Sequence, residues 1–240
     1  MTDVIAPTSR VAAAPEVIRP ARVRLGGIFL VVGAVEFLVG MTIAEVGYGP
    51  SYSISQNLLS DLGVTGCGPL GGTGPYLCSP WFLAFDAATV LLGFLVVLAA
   101  VGVRPAFPPG ATSTVGLGLL AFHGIGLIGA GLIPENVSDP AHSAFAVLAF
   151  SCGSLALILL GLAFRNRPPR TWFPPYSVVS GLVSAAALLF FVTGADLGLG
   201  SGGMERVLVA PVLLWFVLVG VHFARTPRPA VGFAERPVGG

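Results

Sequence analysis

The chain has 240 residues, of which 55% are hydrophobic and 10% are charged, and its mean hydropathy is +0.90. A water-soluble domain of this length cannot bury so many apolar side chains. The composition therefore excludes a cytosolic enzyme, a nucleic-acid-binding protein and a disordered chain, and the formal net charge of +1 adds no further information. It predicts an all-α integral membrane bundle.

Six apolar stretches are long enough to cross a bilayer. A hydrocarbon core about 30 Å thick needs about 20 residues of helix. Residues 1–24 combine four Arg with Pro and Ala and little apolar surface, so they are predicted to form a disordered cytoplasmic tail, and residues 225–240 a second tail. The membrane domain is predicted over 25–224, with spans near 25–45, 81–103, 114–133, 141–164, 175–194 and 207–224.

The arginines indicate how the spans are oriented. All 12 basic residues are Arg, and every one except Arg206 falls in the two tails or in the turns after spans two and four. Because cytoplasmic loops are enriched in Arg and Lys, this asymmetry predicts that both termini are cytoplasmic in a multi-pass plasma-membrane protein. The loops after spans one, three and five are then on the outside.

Ionisable side chains within apolar spans are costly and usually face the interior of the bundle. Asp86 lies about 8 Å below the outer end of span two, and His142 lies within about one turn of the outer end of span four. We expect both to line one outward-facing cavity as acid and base, and we expect Arg206 to reach the same cavity. Asp61, in the first outer loop, is a further catalytic candidate, although it could simply hydrogen-bond its own loop.

Glu36 and His123 are predicted at similar depth near the middle of the membrane. Equal depth makes a polar pair between spans one and three possible. Such a pair could fix the register of the two helices, or it could relay protons in a transporter.

Three polar residues of the outer face are candidates for substrate binding. Arg206 is the only outer cation, and its guanidinium could bind a phosphate or carboxylate in a bidentate manner. It could instead pair with its neighbour Glu205, the second candidate. The third, Ser60, belongs with Asp61 to a loop that we expect to cover the cavity.

The cysteines and histidines favour a disulfide over a metal. Cys67 and Cys78 share the outer loop, where the compartment is oxidising, so we predict a disulfide between them. A catalytic zinc needs three protein ligands, and the outer half offers only His123, His142 and Asp86, with no His pair on one helix. We predict no metal and no cofactor.

One polar stretch after the first span is distinctive. Residues 52–63 read YSISQNLLSDLG, residues 131–134 read GLIP with DPAH at 139–142, and residues 203–206 read GMER. Together they resemble a prokaryotic six-helix membrane family catalogued as domain of unknown function 998. The likeness covers essentially residues 25–224. The chain departs from the family pattern in a Gly-rich insertion at 66–74. It implies a six-helix fold and supplies no reaction, because the activity of the family is unknown.

Three functions remain compatible with these residues. The first is an enzyme that acts at the outer leaflet on a lipid or isoprenoid-like substrate. The second is a proton-coupled transporter of a small molecule that uses the Glu36–His123 pair, and the third is a non-catalytic membrane binding or assembly module. The cytoplasmic halves of the spans have almost no ionisable residue, which favours a one-sided outer site. Membrane lipids are the expected partners, no nucleic acid is expected, and the sequence does not give the oligomeric state.

Overall fold

The computed structural model describes residues 18–48, 51–165 and 172–225. These residues contain six helices, each long and apolar enough to cross a membrane, so the prediction of a six-helix bundle is confirmed. The helices are α1 (Ile18–Tyr48), α2 (Phe82–Gly102), α3 (Ala111–Leu132), α4 (Asp139–Leu162), α5 (Phe173–Thr193) and α6 (Gly200–Ala224).

The six helices form a closed ring in chain order. Each helix packs against the next, and α6 returns to pack against α1. Glycines permit the closest approaches, because a Cβ at Gly93 of α2 would collide with the carbonyl oxygen of Gly124 of α3, and one at Gly27 of α1 would collide with the backbone of α6 at Gly220. Small residues at helix crossings are typical of membrane bundles.

The inner and outer faces of the ring differ in exposure rather than in polarity. Leu30, Leu120, Leu157 and Phe216 are completely buried inside the ring. Apolar side chains on the outside stay open, as at Val46, which is 77% exposed. An apolar exterior is what a lipid solvent requires.

Two helices start seven residues earlier than the sequence predicted. Helix α1 begins at Ile18 rather than at 25, so residues 18–24, assigned to the tail, belong to this helix; long Arg side chains at a helix end can extend away from apolar surroundings. Helix α6 begins at Gly200 rather than at 207. Its first glycines indicate a loop, but the N–H groups of Gly202 and Gly203 donate to the carbonyl oxygen of Ser55 at 3.0 and 3.2 Å, which satisfies the helix start.

The long connections gather at one end of the bundle, which we call the loop end; they comprise residues 51–81, 133–138 and 194–199. The first contains a 3₁₀ helix at Ser60–Gly63 and a hairpin in which β1 (Gly68–Pro69) pairs antiparallel with β2 (Tyr76–Leu77). Cys67 and Cys78 flank this hairpin with their sulfur atoms at disulfide-bonding distance, as the sequence predicted.

Candidate functional site

A narrow cavity lies inside the ring below the loop end. It is lined by residues from all six helices and from the 3₁₀ helix, most of them apolar, and its volume is about 80 Å³. On α3 the lining runs from His123 to Gly131, a rise of eight residues that corresponds to about 12 Å of depth. A volume this small over such a depth describes a narrow slot, well below the roughly 300 Å³ of a drug-sized pocket.

Asp86 projects into this cavity from the second turn of α2. It is only 8% exposed, and no group in the described part of the chain donates a hydrogen bond to its carboxylate. Gly63 of the 3₁₀ helix lies directly against it, since a Cβ at this position would collide with Oδ1 of Asp86. The glycine thus lets the loop backbone close over an unpaired acid.

Two histidines line the same cavity, and both are held in one tautomer. Nδ1 of His142 lies 2.9 Å from the carbonyl oxygen of Ile133 and 3.2 Å from that of Ala130. Nδ1 of His123 lies 2.7 Å from the carbonyl oxygen of Ala149. Because a carbonyl only accepts, Nδ1 carries the proton in each ring, and Nε2 remains as the basic nitrogen.

The loop end covers the cavity with two further polar residues that line it, Ser60 and Glu205. Oε2 of Glu205 accepts a hydrogen bond of 2.5 Å from the backbone N–H of Leu59, just before the 3₁₀ helix. The hydroxyl of Ser60 donates to Oε2 of Glu135 at 2.8 Å. Glu205 therefore ties α6 to the first connection, and Ser60 ties the first connection to the second.

Glu135 is a residue that the sequence reasoning did not select. It is 7% exposed, and its Oε1 is buried without a hydrogen-bond partner among the described residues. Burial raises the pKa of this carboxyl well above its usual range, and the negative charge of Asp61 raises it further. The signal in the sequence was its position directly after Pro134, which ends one of the family motifs.

Asp61 stabilises the loop from within. Its Oδ2 accepts hydrogen bonds from Nδ2 of Asn57 at 2.7 Å and from the N–H of Leu58 at 3.1 Å. Asp61 does not line the cavity. This arrangement corresponds to the alternative in which its carboxylate binds its own loop.

Arg206 lies beside the cavity rather than in its lining. Nη1 donates to the carbonyl oxygens of Ile54, Asn57 and Gly202, each at 3.0 Å. Nη2 donates to Glu45 at 3.0 Å and to the hydroxyl of Tyr52 at 2.5 Å. The alternative pairing with Glu205 is replaced by a pairing with Glu45, and both Nη groups of the guanidinium help to hold residues 52–57 against α6.

The structure does not bring Glu36 and His123 together. Within the described ranges, the only ion pair joins Arg206 to Glu45. His123 instead forms a hydrogen bond with the carbonyl oxygen of Ala149 across the α3–α4 contact. Oε1 of Glu36, a residue of α1, is buried without a hydrogen-bond partner among the described residues. The reason is the order of the ring, in which α2 separates α1 from α3.

The cavity has no arrangement suited to a metal. Across residues 18–48, 51–165 and 172–225, no group of three His, Cys, Asp or Glu side chains is close enough to hold a metal ion. The polar groups of the cavity are instead separate acids and bases along an apolar slot. Such a set can exchange protons with a bound molecule without a metal.

The predicted site residues thus fall into two sets. Ser60, Asp86, His142 and Glu205 share one cavity, and His123 joins them from its deeper end. Asp61 and Arg206 instead hold the covering loop in place.

Comparison with known proteins agrees with this architecture. No curated protein and no solved structure matches the chain. The family described as "Protein of unknown function (DUF998)" matches residues 31–222, a range that includes most of α1, all of α2 to α5 and most of α6. The chain therefore belongs to the DUF998 family of multispanning membrane proteins.

Proposed function

We propose that this protein is a membrane enzyme that acts on the head group of an amphiphile whose single apolar chain, fatty or isoprenoid-like, lies in the cavity. Asp86 and His142 are its acid/base pair. The observation that carries the proposal is that an unpaired carboxylate and an unprotonated imidazole nitrogen line the same narrow, largely apolar slot. Acid/base groups at the polar end of a narrow apolar slot suit a reaction at the head group of an amphiphile.

The roles of the two residues follow from their surroundings. The Nδ1–H of His142 is fixed by two backbone carbonyls, so its Nε2 is oriented as a base or, once protonated, as an acid. Asp86 has no hydrogen bond within the described part of the chain to hold it in either protonation state, and its side chain is only 8% exposed. One group, in its unprotonated form, can then accept a proton from the head group, while the other, in its protonated form, donates its own proton at a different point.

The proposal includes an orientation. In the sequence, only Arg206 lies next to a connection of the loop end, while the other 11 of the 12 arginines lie near the two termini or in the connections after α2 and α4. We therefore place the loop end on the outside of the plasma membrane and both termini in the cytoplasm. The substrate would enter from the outer leaflet.

The test compares membrane lipids by mass spectrometry in cells that express the wild-type protein, Asp86→Asn or His142→Gln. We expect one lipid class to change in abundance with the wild type and to remain at the level of the empty vector with both variants. Asp139→Asn is the matched control, because Asp139 is an exposed acid at the same end that bonds only Ser143. If both variants change the lipids as the wild type does, the enzyme proposal fails and an assembly module becomes the better explanation.

A further inference from the structure

We propose that the head group recognised in the cavity is a cation, an ammonium carried on one apolar chain. This inference rests on the proposed function, since it names the substrate class of the same site. It begins from an imbalance of charge at the loop end.

Four buried carboxyl groups lie at the loop end, and two of them, Asp86 and Glu205, line the cavity. Asp61, Asp86, Glu135 and Glu205 are between 5% and 8% exposed. The connections at 51–81, 133–138 and 194–199 contain no Lys or Arg. The nearest cation, Arg206, is paired with Glu45. Burying several carboxylates without opposite charge is costly, so the cluster favours a positive partner.

Asp86 differs from the other acids of the cluster in a way that indicates a binding site. Asp61 and Glu205 accept hydrogen bonds from backbone N–H groups, so the fold itself satisfies them. Asp86 is more than nine-tenths buried, lines the cavity and has no hydrogen-bond partner in the described part of the chain. A buried carboxylate left unpaired in this way is suited to a ligand that brings both a positive charge and N–H donors.

Other head groups fit this lining less well. A phosphate or carboxylate would lie against Asp86 and Glu205, and the described lining of the cavity contains no Lys or Arg to offset the repulsion. A hydroxyl could donate one hydrogen bond but would leave the buried charge without a counter-ion. An ammonium supplies three donors and one charge, and its chain would extend along the apolar slot towards Leu92 and His123.

The test measures binding, which does not require turnover. The whole protein is reconstituted in phosphatidylcholine nanodiscs, and dodecylamine, dodecanol and dodecyl phosphate are titrated while thermal unfolding is followed. Protein-free nanodiscs give the partition blank. We expect the amine to bind at least tenfold more tightly than the alcohol, and the phosphate to bind most weakly.

Two variants locate the effect. Asp86→Asn should remove the preference for the amine, while Asp139→Asn, exposed and outside the cavity, should retain it. Glu205→Gln carries the same test if Asp86→Asn fails to fold, because its amide oxygen can still accept from Leu59.

Three outcomes would overturn the inference, and they differ in what they leave standing. Equal binding of amine and alcohol would reject the cation and leave the chain site of the proposed function. A preference for the amine that survives in both Asp86→Asn and Glu205→Gln would place the cation elsewhere. Binding of none of the three probes would remove the chain site itself and the proposed function with it.

Discussion

Replacing Arg206 by Ala should destabilise the protein more than replacing any other arginine of the described residues. The side chain is 20% exposed and donates hydrogen bonds to three carbonyl oxygens, to Glu45 and to Tyr52. Removing one partner of a buried ion pair costs about 3–5 kcal/mol, and partial exposure lowers that cost. We expect the free energy of unfolding to fall by about 2–4 kcal/mol.

The assay is reversible unfolding in mixed micelles by increasing SDS, followed by intrinsic tryptophan fluorescence. Arg206→Lys should lose about half as much, because a lysine keeps the charge but cannot reach several acceptors in different directions. Arg104→Ala is the control, since Arg104 makes a single hydrogen bond among the described residues, of 3.3 Å to Phe107, and its loss should cost less than about 1 kcal/mol. A loss at Arg206 no larger than the loss at Arg104 would refute the role of the guanidinium in holding the loop.

Three further predictions concern the same end of the bundle. Because burial raises the pKa of Glu135, the protonated form is favoured in the fold, so its stabilisation is complete below the unfolded pKa of about 4.3 and is lost as the pH rises through the raised value. Melting should therefore occur at lower temperature at about pH 9 than at about pH 5, and Glu135→Gln should reduce this difference; an unchanged difference would contradict the assignment. Gly202→Ala should destabilise by about 2–3 kcal/mol, because its Cβ would overlap the carbonyl oxygen of Asn57, whereas Gly118→Ala meets only open space and should be neutral. Equal effects of the two substitutions would show that the close approach at Gly202 is unimportant. Reporter fusions within residues 62–75 and at the C-terminus should report opposite sides of the membrane, and the same side for both would reject the orientation.

The number and approximate position of the helices could be predicted from the sequence because hydropathy responds to lipid rather than to tertiary packing. Helix starts were less predictable, because they depend on contacts between distant segments. The start of α6 at Gly200 is stabilised by Ser55, which lies 145 residues earlier in the chain. Gly200, Gly202 and Gly203 have low intrinsic helix propensity, so the local sequence does not reveal this start.

The sequence could predict the parts of the candidate site that depend only on how deep a side chain lies in the membrane. Asp86 and His142 lie near the same ends of their helices, and the structure places both in one cavity. Glu36 and His123 also lie at similar depth, but the order of the helices around the ring, which depth does not specify, keeps them apart.

The role of Arg206 depends on acceptors that the sequence does not reveal. Three of them are backbone carbonyl oxygens, whose direction follows from the folded loop rather than from residue type. Glu135 was missed for a related reason. An acid in a predicted loop is usually solvated, and only the packing of the two connections against each other buries this one.

A cryo-electron microscopy structure of the protein, purified in nanodiscs formed directly from its own membrane, decides whether an amphiphile occupies the cavity. We expect density for one apolar chain between α2, α3, α4 and α6, with its polar head within hydrogen-bond distance of Asp86 and of Nε2 of His142. The same head group should be displaced in Asp86→Asn. A cavity that is closed by side chains or filled with water, with lipid found only on the outer surface of the ring, would reject the proposed function.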